Sequence, residues 1–418
     1  MKILFVHQNF PGQFLHLAPA LHAQGHEVKV MAIFKEGVPG ISDCQGIEVH
    51  RYKPTQGSTP NVHPWVVDFE TKIIRAEAVF RHALQMRETG FEPDLIVAHP
   101  GWGESLFLKE VWPQAKLAIY CEYFYQMVGG DVEFDPEFPS KDSGDACRLR
   151  LKNLNNDMHF EIADAGISPT EWQASTYPEA FRKKITVIHD GIDTDRVVPN
   201  VDAKLELTGP NGQITLSPDD EIITFVNRNL EPHRGYHIFM RALPQILQAR
   251  PNARVLIVGG NDVSYGARPP SGGTWRDYFF NEIKEQIDIK RVHFLGKVSY
   301  EHYLTLLQVS SVHIYLTYPF VLSWSLLEAM SAGCAIVASD TKPVKEVIQN
   351  NKTGMLFDFF DQQKLAKIVI DLLDDPKKRQ KIGESARKYA IEHFDLKKVC
   401  LPEQIKWIST LLNIKKKR

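Results

Sequence analysis

No run of apolar residues in this 418-residue chain approaches the ~18 that a membrane-spanning helix needs. Nor is there an excess of one charge sign. Lysine and arginine number 49 against 51 aspartates and glutamates, for a net charge of −2. That denies the chain the whole-molecule positive field of a nucleic-acid binder, so any charge-driven site must be local. Cysteine is scarce. Cys44, Cys121, Cys147, Cys334 and Cys400 are odd in number and scattered, with neither CxxC pairing nor metal-ligand spacing. This favours a reducing compartment. Before His7-Gln8-Asn9 only Ile3-Leu4-Phe5-Val6 is apolar, too short for a signal-peptide core, so a cytoplasmic location is expected. Two nucleotide-binding motifs are missing as well: no GxGxxG follows the first strand and no GxxxxGK[ST] occurs, which removes support from dinucleotide-oxidoreductase and P-loop readings.

What is present reads as globular: 43% apolar and 24% charged residues, over a length that suggests about two to three domains. Short β-branched runs alternate with helical stretches. Strands are expected at Ile3–Val6, Val28–Ile33, Leu95–Ala98 and Leu117–Tyr120, with amphipathic segments at Phe14–Ala23 and Ile73–Met86. After Asp193 the cycle restarts, with strands expected at Ile222–Val226, Val255–Val258, Val292–Leu295, His313–Leu316 and Ala335–Ala338. Such alternation means parallel sheet with crossover helices, here as two Rossmann-like domains facing each other across a cleft. The two halves echo each other: Ile3–Val6 runs into Asn9–Phe14, and Ile222–Val226 runs into Asn227–Tyr236, each as strand, glycine-bearing loop and helix. Thr208–Asp220 has the composition of a linker or exposed hairpin. The expected divisions are therefore residues 1–207, residues 208–388, and a C-terminal helical segment, residues 389–418, packing back on the first domain.

A ligand serving two such domains belongs at the carboxyl ends of the strands, where helix N-termini and loop amides converge. There Arg228 and Arg234 flank a loop that Gly235 turns into the helix Tyr236–Ala249. Two fixed guanidiniums can grip a diphosphate without a metal, although a solvated loop with ordinary arginines fits the same spacing. In the stretch Tyr315–Asp340 the mostly apolar helix around Leu326-Leu327 carries Glu328, a carboxylate that needs donors. Ribose hydroxyls would supply two, and solvent or a nearby arginine is the alternative. Asp193-Thr194-Asp195 has the form of a metal-binding DxD, but it sits at a domain exit and the arginine pair already supplies positive charge.

Taken in order, Arg228, Arg234-Gly235, Gly259-Gly260, His293-Phe294-Leu295-Gly296 and Leu327-Glu328-Ala329-Met330 with Gly333 resemble the landmarks of the retaining family-4 glycosyltransferases of the GT-B fold. Phe10-Pro11-Gly12, Pro93-Asp94 leading into Val97-Ala98-His99, and Gly191-Ile192-Asp193 are similar to that family in the first half. The resemblance implies an acceptor-binding first domain and a second domain that binds a nucleotide diphosphate sugar, such as a UDP- or GDP-sugar, with no metal or further cofactor. It implies that Arg228 and Arg234 neutralise the diphosphate and that Glu328 holds the ribose. Gly12, Gln13, Gly259, Ser323 and Trp324 would meet the donor, and His99 would lie beside the reacting carbon. The family usually has a glutamate eight residues before Glu328. Here that position is Phe320, the mark of a variant branch in which donor choice, or transfer itself, is in question.

Glu122–Ala146 mixes aromatic and acidic residues, and Glu122, Tyr123 and Tyr125 suit a carbohydrate, lipid-linked or small-molecule hydroxyl acceptor; a surface flap is the alternative. The basic tail Lys415–Arg418, with Lys397, Lys398 and Lys406, would give peripheral contact with the inner membrane face if the acceptor is lipid-linked. The expected chemistry is front-face transfer in glycoconjugate or polysaccharide biosynthesis. A silent nucleotide-sugar-binding protein, a glycoside phosphorylase and a nucleotide-sugar epimerase are its rivals, and no nucleic-acid partner is expected.

Overall fold

In the computed structural model, residues 1–34, 46–139, 142–209 and 212–413 are described. The chain divides into two compact units, Met1–Asp190 with Cys400–Arg418, and Gly191–Val399. The division thus falls earlier than residue 208, because Ile192, Val197, Ala203 and Leu205 are buried in the core of the second unit. The expected break at residue 388 also moves. It lies inside the helix Pro376–Phe394, whose Ala386 and Ala390 belong to that same core. Only the helix Leu401–Asn413 joins the first unit, burying Trp407, Ile408 and Leu411 in its core while Gln404 Nε2 donates to the His189 carbonyl at 2.9 Å. The basic tail, Cys44 and part of the expected linker lie outside the described residues; Cys121, Cys147 and Cys334 are free thiols.

The first unit holds a parallel sheet of seven strands: β1 (Lys2–Val6), β2 (Glu27–Ile33), β3 (Glu48–Tyr52), β4 (Leu95–Ala98), β5 (Lys116–Tyr120), β6 (Ala165–Ser168) and β7 (Ile185–Val187). Its spatial order is β3-β2-β1-β4-β5-β6-β7. An antiparallel hairpin, β8 (Leu205–Gly209) with β9 (Gly212–Leu216), occupies the expected linker stretch. The second unit adds β10 (Ile222–Asn229), β11 (Arg254–Gly260), β12 (Val292–Gly296), β13 (Val312–Tyr315), β14 (Ile336–Ser339) and β15 (Met355–Phe357), in the order β12-β11-β10-β13-β14-β15. The central strands are buried on both faces over most of their length, as sheets covered by helices on each side require.

The internal echo is structural. β1 leads through the single turn Gly12–Phe14 to the helix Leu17–Ala23, and β10 leads through the turn Pro232–Arg234 to the helix Tyr236–Ala249. In both sheets the strand order reverses beside that first strand, between β1 and β4 and between β10 and β13. Loops splayed at such a switch point form a crevice at the strand ends, which is where doubly wound sheets bind ligands.

Burial also keeps several imidazoles neutral. It lowers His7 to a pKa of about 3 and His159, His189 and His313 to about 4. Each binds a proton in the unfolded chain below pH ~6.5 but not in the folded one. Stability from these groups is therefore complete above pH ~6.5 and is lost as pH falls toward 4, by about 1.4 kcal/mol per group per pH unit inside that window. Three of the four lie in the first unit, so its urea-unfolding midpoint should fall more between pH 7.5 and 5.5 than that of the second. Equal or absent shifts would contradict this account.

Candidate active site

At the switch point of the second unit two loops are stitched together. The amide of Tyr318 donates to the His233 carbonyl at 3.0 Å, and Arg234 Nη1 donates to Thr317 Oγ1 at 2.7 Å and to the Val321 carbonyl at 3.1 Å. Arg234 is buried, with its guanidinium 5.2 Å from the Tyr265 ring centre and 6.0 Å from that of Phe320. Phe320 is buried edge-on to His233, at 4.9 Å between ring centres. Phe320 thus helps to pack an aromatic box around the buried cation. Arg228 differs: it is exposed near the end of β10, and no hydrogen bond or ion pair among the described residues holds its guanidinium. The two expected arginines are thus unlike: Arg234 is held by hydrogen bonds and Arg228 is exposed.

Glu231 was not singled out from the sequence, yet it shapes this turn. Its buried carboxylate accepts from the amides of Ser264 at 3.1 Å and Tyr265 at 3.2 Å, drawing that loop over Arg234. Burial raises its pKa, and the amide donors counter the effect. Gly235 closes the turn at φ +68°, with Leu316 packed against its α-carbon.

Ser323 caps the helix Trp324–Ser331 through its hydroxyl. Its own amide is engaged, donating to Tyr315 Oη at 2.9 Å, so the expected amide pair of Ser323 and Trp324 is not open at Ser323. One turn on, the Glu328 carboxylate accepts from Tyr300 Oη at 2.7 Å and Tyr303 Oη at 2.9 Å. Burial raises its pKa, opposed by these two donors. Gly259 packs against Leu230 and, with Gly260, Arg276, Phe294 and Lys297, lines a cavity of about 290 Å³ at the end of β11.

The first unit brings its expected residues together at the ends of β1 and β4. His7 Nδ1 accepts from the Asn9 amide at 3.0 Å, which places its proton on Nε2, 2.8 Å from Gln13 Oε1. Gly12 has φ +47°, and a β-carbon there would lie 2.3 Å from His7 Nε2, so only glycine fits. His99 accepts from the Gly101 amide through Nδ1 at 3.2 Å and stacks on Tyr120 at 5.4 Å. It caps the turn Pro100–Trp102, with Nε2 3.6 Å from Glu122 Oε2. His7 lies 5.3 Å from His99, ring centre to ring centre, and links the two loops.

His99, Glu122, Tyr123 and Tyr125 line one cavity of about 170 Å³ with Asn155 and Asn156. The asparagines escaped sequence reasoning, although the helix Asp145–Ile162 carries the signal: its buried residues are Asn153, Asn155, Asn156 and His159, all polar. Asn153 clamps the loop after β5, exchanging hydrogen bonds of 3.0 and 2.8 Å with the Tyr125 backbone, and Asn155 holds the loop after β4 by donating to the Pro100 carbonyl at 2.8 Å. Asp193 and Asp195 are bridged by Lys397 at 3.1 and 3.0 Å, which accounts for the DxD pattern as an ion pair and engages one lysine of the basic patch. No helix among the described residues is long and apolar enough to cross a membrane.

Comparison with known proteins bears on both units. Residues 24–197 match the model of the glycosyl transferase family 4 group, and residues 211–389 match that of the glycosyl transferases group 1. The chain is 23% identical to the glycogen synthase of Mycobacterium tuberculosis over 94% of its own length and 91% of that protein's. It is 23% identical to the D-inositol 3-phosphate glycosyltransferase of Corynebacterium efficiens over 73% and 68% of the respective chains. Among solved structures, the sucrose-phosphate synthase of Thermosynechococcus elongatus superposes with a TM-score of 0.73 at 19% identity, over 98% of this chain and 99% of that one. Anabaena HepE in complex with UDP-glucose gives 0.67 at 18% identity, over 98% and 100%. Matched in tandem across both sheets, on the two-unit α/β architecture of these structures, the chain belongs to the family 4 and group 1 glycosyltransferases of the GT-B fold.

Proposed function

We propose that this chain is a retaining hexosyltransferase. It moves a sugar from a nucleotide diphosphate sugar, UDP- or GDP-linked, to a hydroxyl of a carbohydrate, lipid-linked or small-molecule acceptor. The observation that carries the reading is the buried Arg234, hydrogen-bonded to Thr317 and Val321 just before the helix that bears Glu328. A guanidinium held in place before substrate arrives needs no reorganisation when charge develops on a leaving diphosphate, and its charge is permanent. In this reading Arg228 swings in as the second cation, the Trp324 amide adds a donor, and Glu328 accepts from the ribose. The cavity at Gly259 takes the base, with Phe294 as a flat apolar wall.

Gly12 and Gln13 meet the donor's phosphate or sugar, and His99 lies beside the reacting carbon. Glu122, Tyr123 and Tyr125 receive the acceptor, whose hydroxyl would be met by aromatic faces and polar edges. Transfer takes place on one face: the acceptor oxygen bonds to the anomeric carbon as the bond to the diphosphate oxygen breaks. A donor β-phosphate oxygen takes the proton. No protein nucleophile, metal or further cofactor enters these steps. HepE was solved with UDP-glucose, which supports a nucleotide sugar as the donor class.

Thermal-shift screening against UDP-, GDP- and ADP-sugars tests donor binding first. A ligand at a hundred times its Kd stabilises the folded state by about 2.7 kcal/mol, a shift of several degrees. Nucleoside diphosphate should then be released only when an acceptor is supplied. Tight donor binding without hydrolysis or transfer would favour the silent binding protein, a reading that the aromatic Phe320 motivates. Turnover with inorganic phosphate would indicate a phosphorylase, and conversion of the donor alone an epimerase.

A further inference from the structure

We propose that Tyr300 and Tyr303 are positioning residues of the nucleotide site, holding the Glu328 carboxylate ionised and oriented toward a vicinal diol of the bound pentose. The inference rests on the reading of Glu328 given above. The two phenols stand one turn apart on the helix Tyr300–Gln308, so both reach the same neighbour. Each donates to a different carboxylate oxygen, Tyr300 to Oε1 at 2.7 Å and Tyr303 to Oε2 at 2.9 Å. A carboxylate oxygen can accept twice, so each keeps a lone pair for a ligand hydroxyl. A two-donor diol matches what remains.

The choice of partner argues for a ligand. A partly buried carboxylate with only a structural task is best served by an arginine, and Arg196 stands close by. Yet Arg196 lies over the Tyr300 ring at 4.6 Å and pairs with Glu301 at 2.9 Å, and no ion pair among the described residues neutralises Glu328. The phenols stabilise the anion without cancelling its charge. Burial works the other way, favouring the neutral acid, which would present a donor where the diol needs an acceptor. Tyr303 is buried and fixed, whereas Tyr300 is 38% exposed and closes the outer edge. The other charged or titratable groups around them are Asp193 and Arg196 near Tyr300, Cys334 near Tyr303, and Arg387, which reaches the Glu328 helix at Ser331 from the helix Pro376–Phe394.

The test is calorimetric titration of the full chain with UDP, GDP and ADP between pH 5 and 8, for wild type, Y300F, Y303F, the double variant, E328A and E328A with both tyrosine changes. Each single change should weaken binding about three- to tenfold, the worth of one hydrogen bond, and the double change further. Loss of donors to the anion raises the carboxyl pKa, so binding should fail at a higher pH in the double variant than in wild type as the solution is acidified. In an E328A background the tyrosine changes should add nothing. Weak binding by E328A with unchanged affinity and pH profile in both tyrosine variants overturns this inference alone. Unchanged binding by E328A, or binding of none of the three nucleotides to wild type, overturns the ribose reading and this inference with it. Y300F alters an exposed side chain, so its result stands even if Y303F fails to fold, which melting curves will report.

Discussion

An Arg234→Met variant is expected to turn over about 10²–10³-fold more slowly than wild type, the usual cost of removing one preorganised donor to developing negative charge. The rate is read as acceptor-dependent release of nucleoside diphosphate from the donor that screening identifies. Arg234 also has a structural task, because its guanidinium satisfies Thr317 Oγ1 and the Val321 carbonyl. Removing it leaves a buried carbonyl without its donor, at about 1–3 kcal/mol, so melting must be followed alongside rate. Two further variants separate the effects. Arg234→Lys keeps the charge but loses the planar fork that reaches Thr317, Val321 and a phosphate together, and should recover only part of the rate. Arg228→Ala removes an exposed side chain with no partner among the described residues to orphan, so it should slow transfer without moving the melting temperature. Full turnover in both Arg234→Met and Arg228→Ala would dispose of the diphosphate site.

Much of this architecture is legible in the amino-acid order, for a definite reason. Strands covered by helices on both faces are short and mostly apolar, so β1, β4 and the first half of β10 stand out where β-branched residues cluster. The strands that escape are those where the signal is diluted. β3 is Glu-Val-His-Arg-Tyr and lies at the sheet edge, β6 is Ala-Gly-Ile-Ser with a single β-branched residue, and β7 and β15 are only three residues long. The turn at Arg234-Gly235 is legible too, since glycine after a strand and before a helical stretch marks a tight bend. What cannot be read is which partner a polar side chain finds across the fold. Glu328 plainly needs donors, but that Tyr300 and Tyr303 supply them depends on two helices meeting. His7 and Glu231 sit at strand and loop ends where a lone polar residue carries no periodicity. The buried asparagines of the helix Asp145–Ile162 read as a solvated face until the loop after β5 is seen to cover them.

Substituting alanine for Gly235 is expected to destabilise the second unit by about 2–5 kcal/mol, a larger effect than most single changes outside a core. Two costs combine. Gly235 has φ +68°, a conformation that charges any β-carbon about 1–2 kcal/mol. That β-carbon would also lie 2.3 Å from Leu316 Cβ, an atom fixed next to its own backbone at the end of β13 that cannot rotate away. The contact forces a backbone shift, at about 1–3 kcal/mol. Gly272 separates the two contributions, since it has φ +77° and a β-carbon added there would meet nothing within 4 Å, so Gly272→Ala should show the conformational cost alone. Urea unfolding of both variants measures the difference. The shift at Gly235 would also move Arg234, one residue earlier, away from Thr317 and Val321, so transfer should fall at temperatures where the unit is still folded, while Gly272→Ala keeps its rate. Equal destabilisation by the two changes would show that the loop after β10 yields to Leu316, and a yielding loop could not hold Arg234 ready for a diphosphate.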